Sequence, residues 1–244
     1  MRILSGISSL FSNRAKRQNS ETEDINKYGR QFTETEIAAN VHRKYVGGMW
    51  DEVGEQQLNF LKQRGLMPDH YLLDVGCGAL RAGVHFARYL EEGHYYGIDI
   101  NPSFITAGKK ELKQEKLLPK HPHLLVNGQF EFGRFGRTFD YAIAASVFTH
   151  IPMNHIIRCL VEIRKVLTPG AEFYATFFEA PSVTHLEPIT HPSVRVTTNY
   201  DKDPFHCSFE EFQCMAKIAN MRVELIGEWA RPRVQRMLSF RLPE

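Results

Sequence analysis

The residues most able to do chemistry in this 244-residue chain lie in two short stretches. Tyr71 to Gly83 reads YLLDVGCGALRAG, and Tyr96 to Ile100 reads YGIDI. An apolar run stops at Asp74, two close glycines follow at Gly76 and Gly78, and a second acid, Asp99, comes roughly twenty residues later, as in a nucleotide-handling crossover. In a dinucleotide site, GxGxxG lets backbone amides approach a pyrophosphate at a helix N-terminus. Here the third glycine is displaced to Gly83, and Leu80 and Arg81 stand where it would be expected. A carboxylate at Asp74, just before the loop, disfavours a pyrophosphate and suits an ammonium or sulfonium group. The spacing therefore argues for a cationic nucleoside.

Alternating strand and helix signals supply the frame that must position these groups. Strands are predicted at Tyr71 to Val75, Tyr95 to Ile98, His123 to Val126, Phe139 to Ala145 and Glu172 to Phe178. Helices are predicted from Asp51, as cap, to Arg64, from about Leu80 to Leu90, from the Asn101-Pro102 cap to about Glu115, and from about Pro152 to Val166. Thr168-Pro169-Gly170 ends the last of these. Ser208 with Glu211 forms a capping box opening a helix to about Asn220, and closing strands follow near Arg222 to Ile226 and Gln235 to Phe240. The pattern predicts an α/β, doubly wound, mostly parallel seven-stranded sheet with helices on both faces, an antiparallel C-terminal strand and an N-terminal helical extension. Such sheets bind ligands beyond the carboxyl ends of their strands, which gathers Asp74, Gly76, Gly78, Asp99, Asn127 and Ser146 on one rim.

Residues 1–36 are expected to be an extension and 37–244 the folded domain, with 179–207 as a proline-interrupted substrate or lid insert. Residues 1–17 place Ile3, Leu4, Ile7, Leu10 and Phe11 on one helical face beside four cations, a pattern compatible with peripheral membrane contact or with a frayed tail. Lys and Arg total 30 against 28 Asp and Glu, so no global field recruits nucleic acid. The four cysteines show no metal-like spacing and are expected to be free thiols in a cytoplasmic setting. No apolar run approaches the roughly 20 residues needed to span a bilayer.

LLDVGCGALRAG, YYGIDI, FDYAIAASVFTHI and IRKVLTPGAEFYATF resemble, in order, the successive motifs of class I S-adenosylmethionine-dependent methyltransferases. The resemblance covers roughly residues 70 to 180. It implies S-adenosyl-L-methionine as cofactor, with Asp74, Gly76, Cys77 and Gly78 at its methionyl part, Asp99 on the ribose hydroxyls and Ile100 against adenine. The family often carries an acid after the third strand; this chain has Asn127-Gly128-Gln129-Phe130, so a carboxamide such as Gln129, or the backbone, takes that place. Ser146 follows the fourth strand on the same rim.

Methyl transfer from a sulfonium is an in-line displacement, so a base is needed only when the nucleophile carries a proton of high pKa. His150, in SVFTHIP, is the candidate base; the alternative is that it orients its loop or caps a helix. Glu179, ending the fifth strand, is a candidate for holding a substrate hydroxyl or amine. His185, His191 and His206 match no ligand motif, and no metal site is expected. Tyr45 to Trp50 is either a lid with aromatic faces near the sulfonium or ordinary packing of Trp50. The implied function is methylation of an oxygen or nitrogen of a small molecule or saccharide. A methyltransferase of protein side chains and a noncatalytic cofactor-binding module of the same fold remain as alternatives.

Overall fold

The computed structural model describes residues 27–229 and 234–243. The amphipathic reading of residues 1–17 lies outside the described residues. After a short turn, α1 (Glu34–Ala38), α2 (Val41–Tyr45) and α3 (Trp50–Gln63) lead into β1 (Leu72–Val75). Then come α4 (Gly83–Tyr89), β2 (Tyr95–Asp99), α5 (Pro102–Gln114), β3 (His123–Val126), β4 (Phe139–Ala144), α6 (Met153–Ile163) and β5 (Leu167–Glu179). The insert contributes β6 (Ile189–His191), β7 (Val196–Thr198) and β8 (His206–Cys207), and the chain closes with α7 (Phe209–Ile218), β9 (Arg222–Glu228) and β10 (Arg236–Arg241).

The main sheet runs β3-β2-β1-β4-β5-β10-β9. Its first five strands are parallel, and β10 is antiparallel to both β5 and β9. That is the doubly wound seven-strand order expected, with β8 adding a two-residue pairing at the end of β5. All four residues of β1 are buried, because a central parallel strand is covered on both faces. Alternation sends Leu73 and Val75 into a core with α6 and α7, and Leu72 into the opposite core with α3 and α4. Strand order reverses between β1 and β4, so the ligand crevice opens at their carboxyl ends.

Several boundaries differ from expectation. Helix α3 starts at Trp50 behind Met49, which is left-handed and makes no side-chain cap bond, so Asp51 lies inside the first turn and is not the cap. Helix α4 starts at Gly83 because Leu80 adopts φ 66° and the loop turns once more before winding. Thr168-Pro169-Gly170 falls inside β5, where pairing with β4 slips between Phe139 and Tyr141; proline, which cannot donate, sits in that irregularity. The Ser208–Glu211 capping box and the Asn101 cap form as predicted.

The packed body also starts before residue 37. Phe32, Ile37 and Trp50 are buried against Ala79, Phe104 and Ala107. Polar bonds fix this N-terminal strap along α5. The Asn101 side chain caps the helix through Oδ1 and donates from Nδ2 to the carbonyls of Tyr28 (2.8 Å) and Arg30 (2.7 Å). Lys110 Nζ donates to the Ile37 carbonyl at 2.7 Å, neutralising the C-terminal end of α1. Farther along, buried Glu111 accepts from His42 Nε2 (2.7 Å) and from Arg43 Nε (3.0 Å) and Nη2 (2.5 Å). Burial alone would raise the Glu111 pKa, but these donors outweigh it and hold the carboxyl at about 2.

Candidate active site

A cleft of about 550 Å³ opens at the carboxyl ends of β1, β2 and β4. It gathers Asp74, Gly76, Cys77, Gly78, Asp99, Ile100, Gln129, Ser146 and His150, which is every site residue expected from sequence except Glu179. Glu179 is ion-paired to Arg236 at 2.9 Å and does not line the cleft, so its expected contact with substrate is not supported. Its strand end was rightly placed on the rim, but an antiparallel neighbour, β10, supplies the cation that occupies it.

The glycine loop is shaped for close approach of a ligand. Gly76 has φ +67°, and a Cβ there would sit 2.4 Å from Val147 Cγ2, so backbone conformation and space both demand glycine. The displaced Gly83 packs its helix onto the sheet: a Cβ would fall 2.5 Å from the Tyr95 hydroxyl. That hydroxyl donates to Asp74 Oδ2 at 2.9 Å. Cys77 is buried, which pushes its thiol pKa well up and leaves it unreactive.

The two carboxylates differ in their partners. Asp99 accepts the Gly78 N–H on Oδ2 (2.9 Å) and the Asn101 N–H on Oδ1 (2.8 Å), and the Ile100 backbone N–H also points to it, which locks its plane. Burial raises it to about 6 against those hydrogen bonds. Asp74, only 4% exposed, is raised to about 7, chiefly by burial and further by Asp99, with the Tyr95 hydrogen bond opposing.

An ordinary aspartate titrates at 3.8, so between about pH 4 and 7 the folded chain binds more protons than the unfolded one. The stability that these two groups contribute is full below about pH 4 and is lost as pH rises through about 6 to 7. Asp74→Asn is expected to flatten the fall of the thermal midpoint over that window, as read by thermal unfolding at a series of pH values. A slope equal to that of the parent chain would show that the Asp74 charge is already compensated.

The sequence reading missed several cleft residues. Arg81 lines the cleft and donates from Nη1 to the carbonyls of Val46 (2.9 Å) and Gly48 (3.3 Å), tying the strap to the glycine loop. Gln57, buried on α3, and His155, at the start of α6, also line it. Tyr28 covers it, with its hydroxyl 3.3 Å from His150 Nε2. Trp50 does not reach the cleft: it is buried, with Arg43 over its ring at 4.9 Å, so its packing role holds. Asn127 is occupied by its own turn, accepting from Gln129 N (2.9 Å) and donating to Glu131 (2.6 Å). Among the described residues no cluster of histidine, cysteine or acid could hold a metal. All four cysteines are free. No described helix is long and apolar enough to cross a membrane.

A doubly wound sheet with a reversed C-terminal hairpin, a tight glycine loop after β1 and an acid ending β2 is the arrangement of the class I S-adenosylmethionine-dependent methyltransferase fold, which this chain shares. Residues 73–173 match the family model described as a methyltransferase domain. Among curated relatives, the chain is 31% identical over 108 residues to a probable methyltransferase, ltbC, of Aspergillus luteorubrus, covering 41% of this chain and 37% of that protein. It thus spans little more than a third of that relative's length. Solved structures share the fold. The CcbJ methyltransferase of Streptomyces caelestis superposes with a TM-score of 0.63 at 14% identity, covering 91% of this chain and 100% of that one. The magnesium protoporphyrin IX methyltransferase of Synechocystis with bound S-adenosylmethionine gives 0.57 at 13% identity, covering 91% and 90%.

Proposed function

We propose that the chain is an active S-adenosylmethionine-dependent methyltransferase that methylates an oxygen or nitrogen of a small molecule or saccharide. The observation that carries this reading is one continuous cleft joining the Asp74–Gly78 loop and Asp99 to His150, beneath a cover formed by Tyr28, Gly29, Gln31 and Val46. A covered cleft of this kind favours a small acceptor over an extended chain.

The residues present fit the cofactor. Gly76 leaves room that a side chain would fill, and the Asp99 carboxylate, held by backbone N–H groups at the end of β2, would accept from the ribose hydroxyls. Asp74 would face the methionyl ammonium, and Arg81 with Gln57 would receive the methionyl carboxylate. Ile100, 61% exposed and pressed against Gly128, offers an apolar face to adenine, with Gln129 beside it. Ser146 donates its N–H to Thr176 Oγ1 (2.7 Å) and its hydroxyl to Gln235 (3.1 Å), holding the wall between cofactor and acceptor. The cofactor, when bound, supplies a methyl group already activated as a sulfonium. His150 would remove the acceptor's proton, and the strap would exclude water.

Asp99→Ala is expected to weaken S-adenosylmethionine binding roughly tenfold to a hundredfold, the equivalent of about 1.5–3 kcal/mol for charge-assisted hydrogen bonds. Unchanged affinity in a calorimetric titration would remove the ribose assignment. The acceptor class is tested with methyl-labelled donor and size-fractionated cell extract: label should enter the small-molecule fraction. Label confined to protein would replace this reading with a protein methyltransferase.

A further inference from the structure

The cleft contains an internal contact that cofactor binding does not explain. The Tyr28 ring lies against the His150 imidazole, centroids 4.6 Å apart at 67°, with its hydroxyl 3.3 Å from Nε2. Tyr45 (5.9 Å) and Phe104 (6.5 Å) flank the same ring. On the other edge of the imidazole, Asp203 of the insert is hydrogen-bonded to Nδ1. The His150 and Asp203 side chains are only 14% and 11% exposed. An ionised carboxylate can only accept, so Nδ1 carries a proton, and in the neutral imidazole Nε2 is then the acceptor that faces the Tyr28 hydroxyl. The result is a phenol O–H aimed at an imidazole nitrogen, in a slot walled by aromatic rings and continuous with the glycine loop.

We propose that the methyl acceptor is a phenol whose ring takes the slot now filled by Tyr28, and that His150 Nε2, held by Asp203, receives its hydroxyl proton. This rests on the methyltransferase reading above. In the step, the phenol oxygen forms a bond to the methyl carbon as the carbon–sulfur bond breaks. The bonding pair stays on sulfur, giving a neutral thioether, and the hydroxyl proton passes to Nε2. A phenol, with a pKa of about 10, needs such a base, whereas a neutral amine does not. Tyr28 is then a placeholder. Its backbone carbonyl can stay on Asn101 while the side chain swings out. Asp203 is a positioning residue that fixes the tautomer of His150.

Removing the placeholder tests this. Tyr28→Gly deletes the side chain, and 4-methylphenol is that side chain with Cβ as its methyl group. Without any methyl donor, 4-methylphenol is expected to raise the thermal midpoint of Tyr28→Gly but not of the parent chain. With S-adenosylmethionine, Tyr28→Gly is expected to form 4-methylanisole about tenfold or more faster than the parent. Adding Asp203→Asn should cut that rate by about tenfold or more with little change in KM, because a carboxamide can donate to Nδ1 and move the proton to Nε2. Tyr28→Ala takes the place of Tyr28→Gly if the latter shows no cooperative unfolding. A variant that binds S-adenosylmethionine but not 4-methylphenol, or binds both without forming 4-methylanisole, overturns the phenol assignment and leaves the methyltransferase reading standing. A parent chain that binds no S-adenosylmethionine overturns both.

Discussion

Replacing His150 by alanine is expected to lower methyl transfer by about a hundredfold or more while S-adenosylmethionine affinity stays within about twofold. The split follows from geometry. His150 lies between Asp203 and Tyr28, whereas the Asp99 carboxylate accepts from the glycine loop. His150→Gln separates chemistry from architecture, since a carboxamide still offers hydrogen bonds to its neighbours but is no base. If His150→Gln restores turnover, the histidine orients its loop and does no proton transfer. Initial rates measured alongside a titration of the same preparations decide between these outcomes.

The second large effect concerns stability. Glu111→Ala is expected to cost about 3 kcal/mol, because it removes a buried carboxylate that accepts from both His42 and Arg43. Linkage gives a similar figure: lowering the carboxyl from 4.5 to about 2 corresponds to roughly 3 kcal/mol. A depressed acid contributes stability that is complete above its unfolded pKa and lost as pH falls through its folded one. The Glu111 contribution therefore persists at neutral pH and disappears between about pH 4.5 and 2. For a chain of this size the midpoint should fall by roughly 6–12 °C. Because the triad ties α2 to α5, the strap should also lose amide protection before the sheet does. A midpoint within about 1 °C of the parent would show that Arg43 and His42 find equivalent partners.

Most of the fold was legible because buried parallel strands read as apolar runs and stop at polar residues. Leu72-Leu73 before Asp74 and Tyr95 to Ile98 before Asp99 are such runs, and the chain order of strands and helices then determines which ends share a rim. The capping box at Ser208 and the Asn101-Pro102 start were legible because a cap is a local event. The acceptor side was not. Tyr28 and Asp203 stand 122 and 53 residues from His150, one in a polar stretch and one in an aperiodic insert, and no local pattern encodes either meeting. Asn101 shows the same limit: its cap was readable, but its second bond, to the strap, is a long-range contact. Glu179 errs the other way, correctly placed at a strand end yet paired to a β10 cation that the β5 sequence does not reveal.

The most direct test of the central claim is calorimetric titration of the purified chain with S-adenosylmethionine and with its demethylated product, S-adenosylhomocysteine. Binding of both is expected, with proton release on binding S-adenosylmethionine below about pH 7, as its ammonium and sulfonium draw Asp74 into the charged form. Absence of binding by either compound to the folded chain would contradict the account.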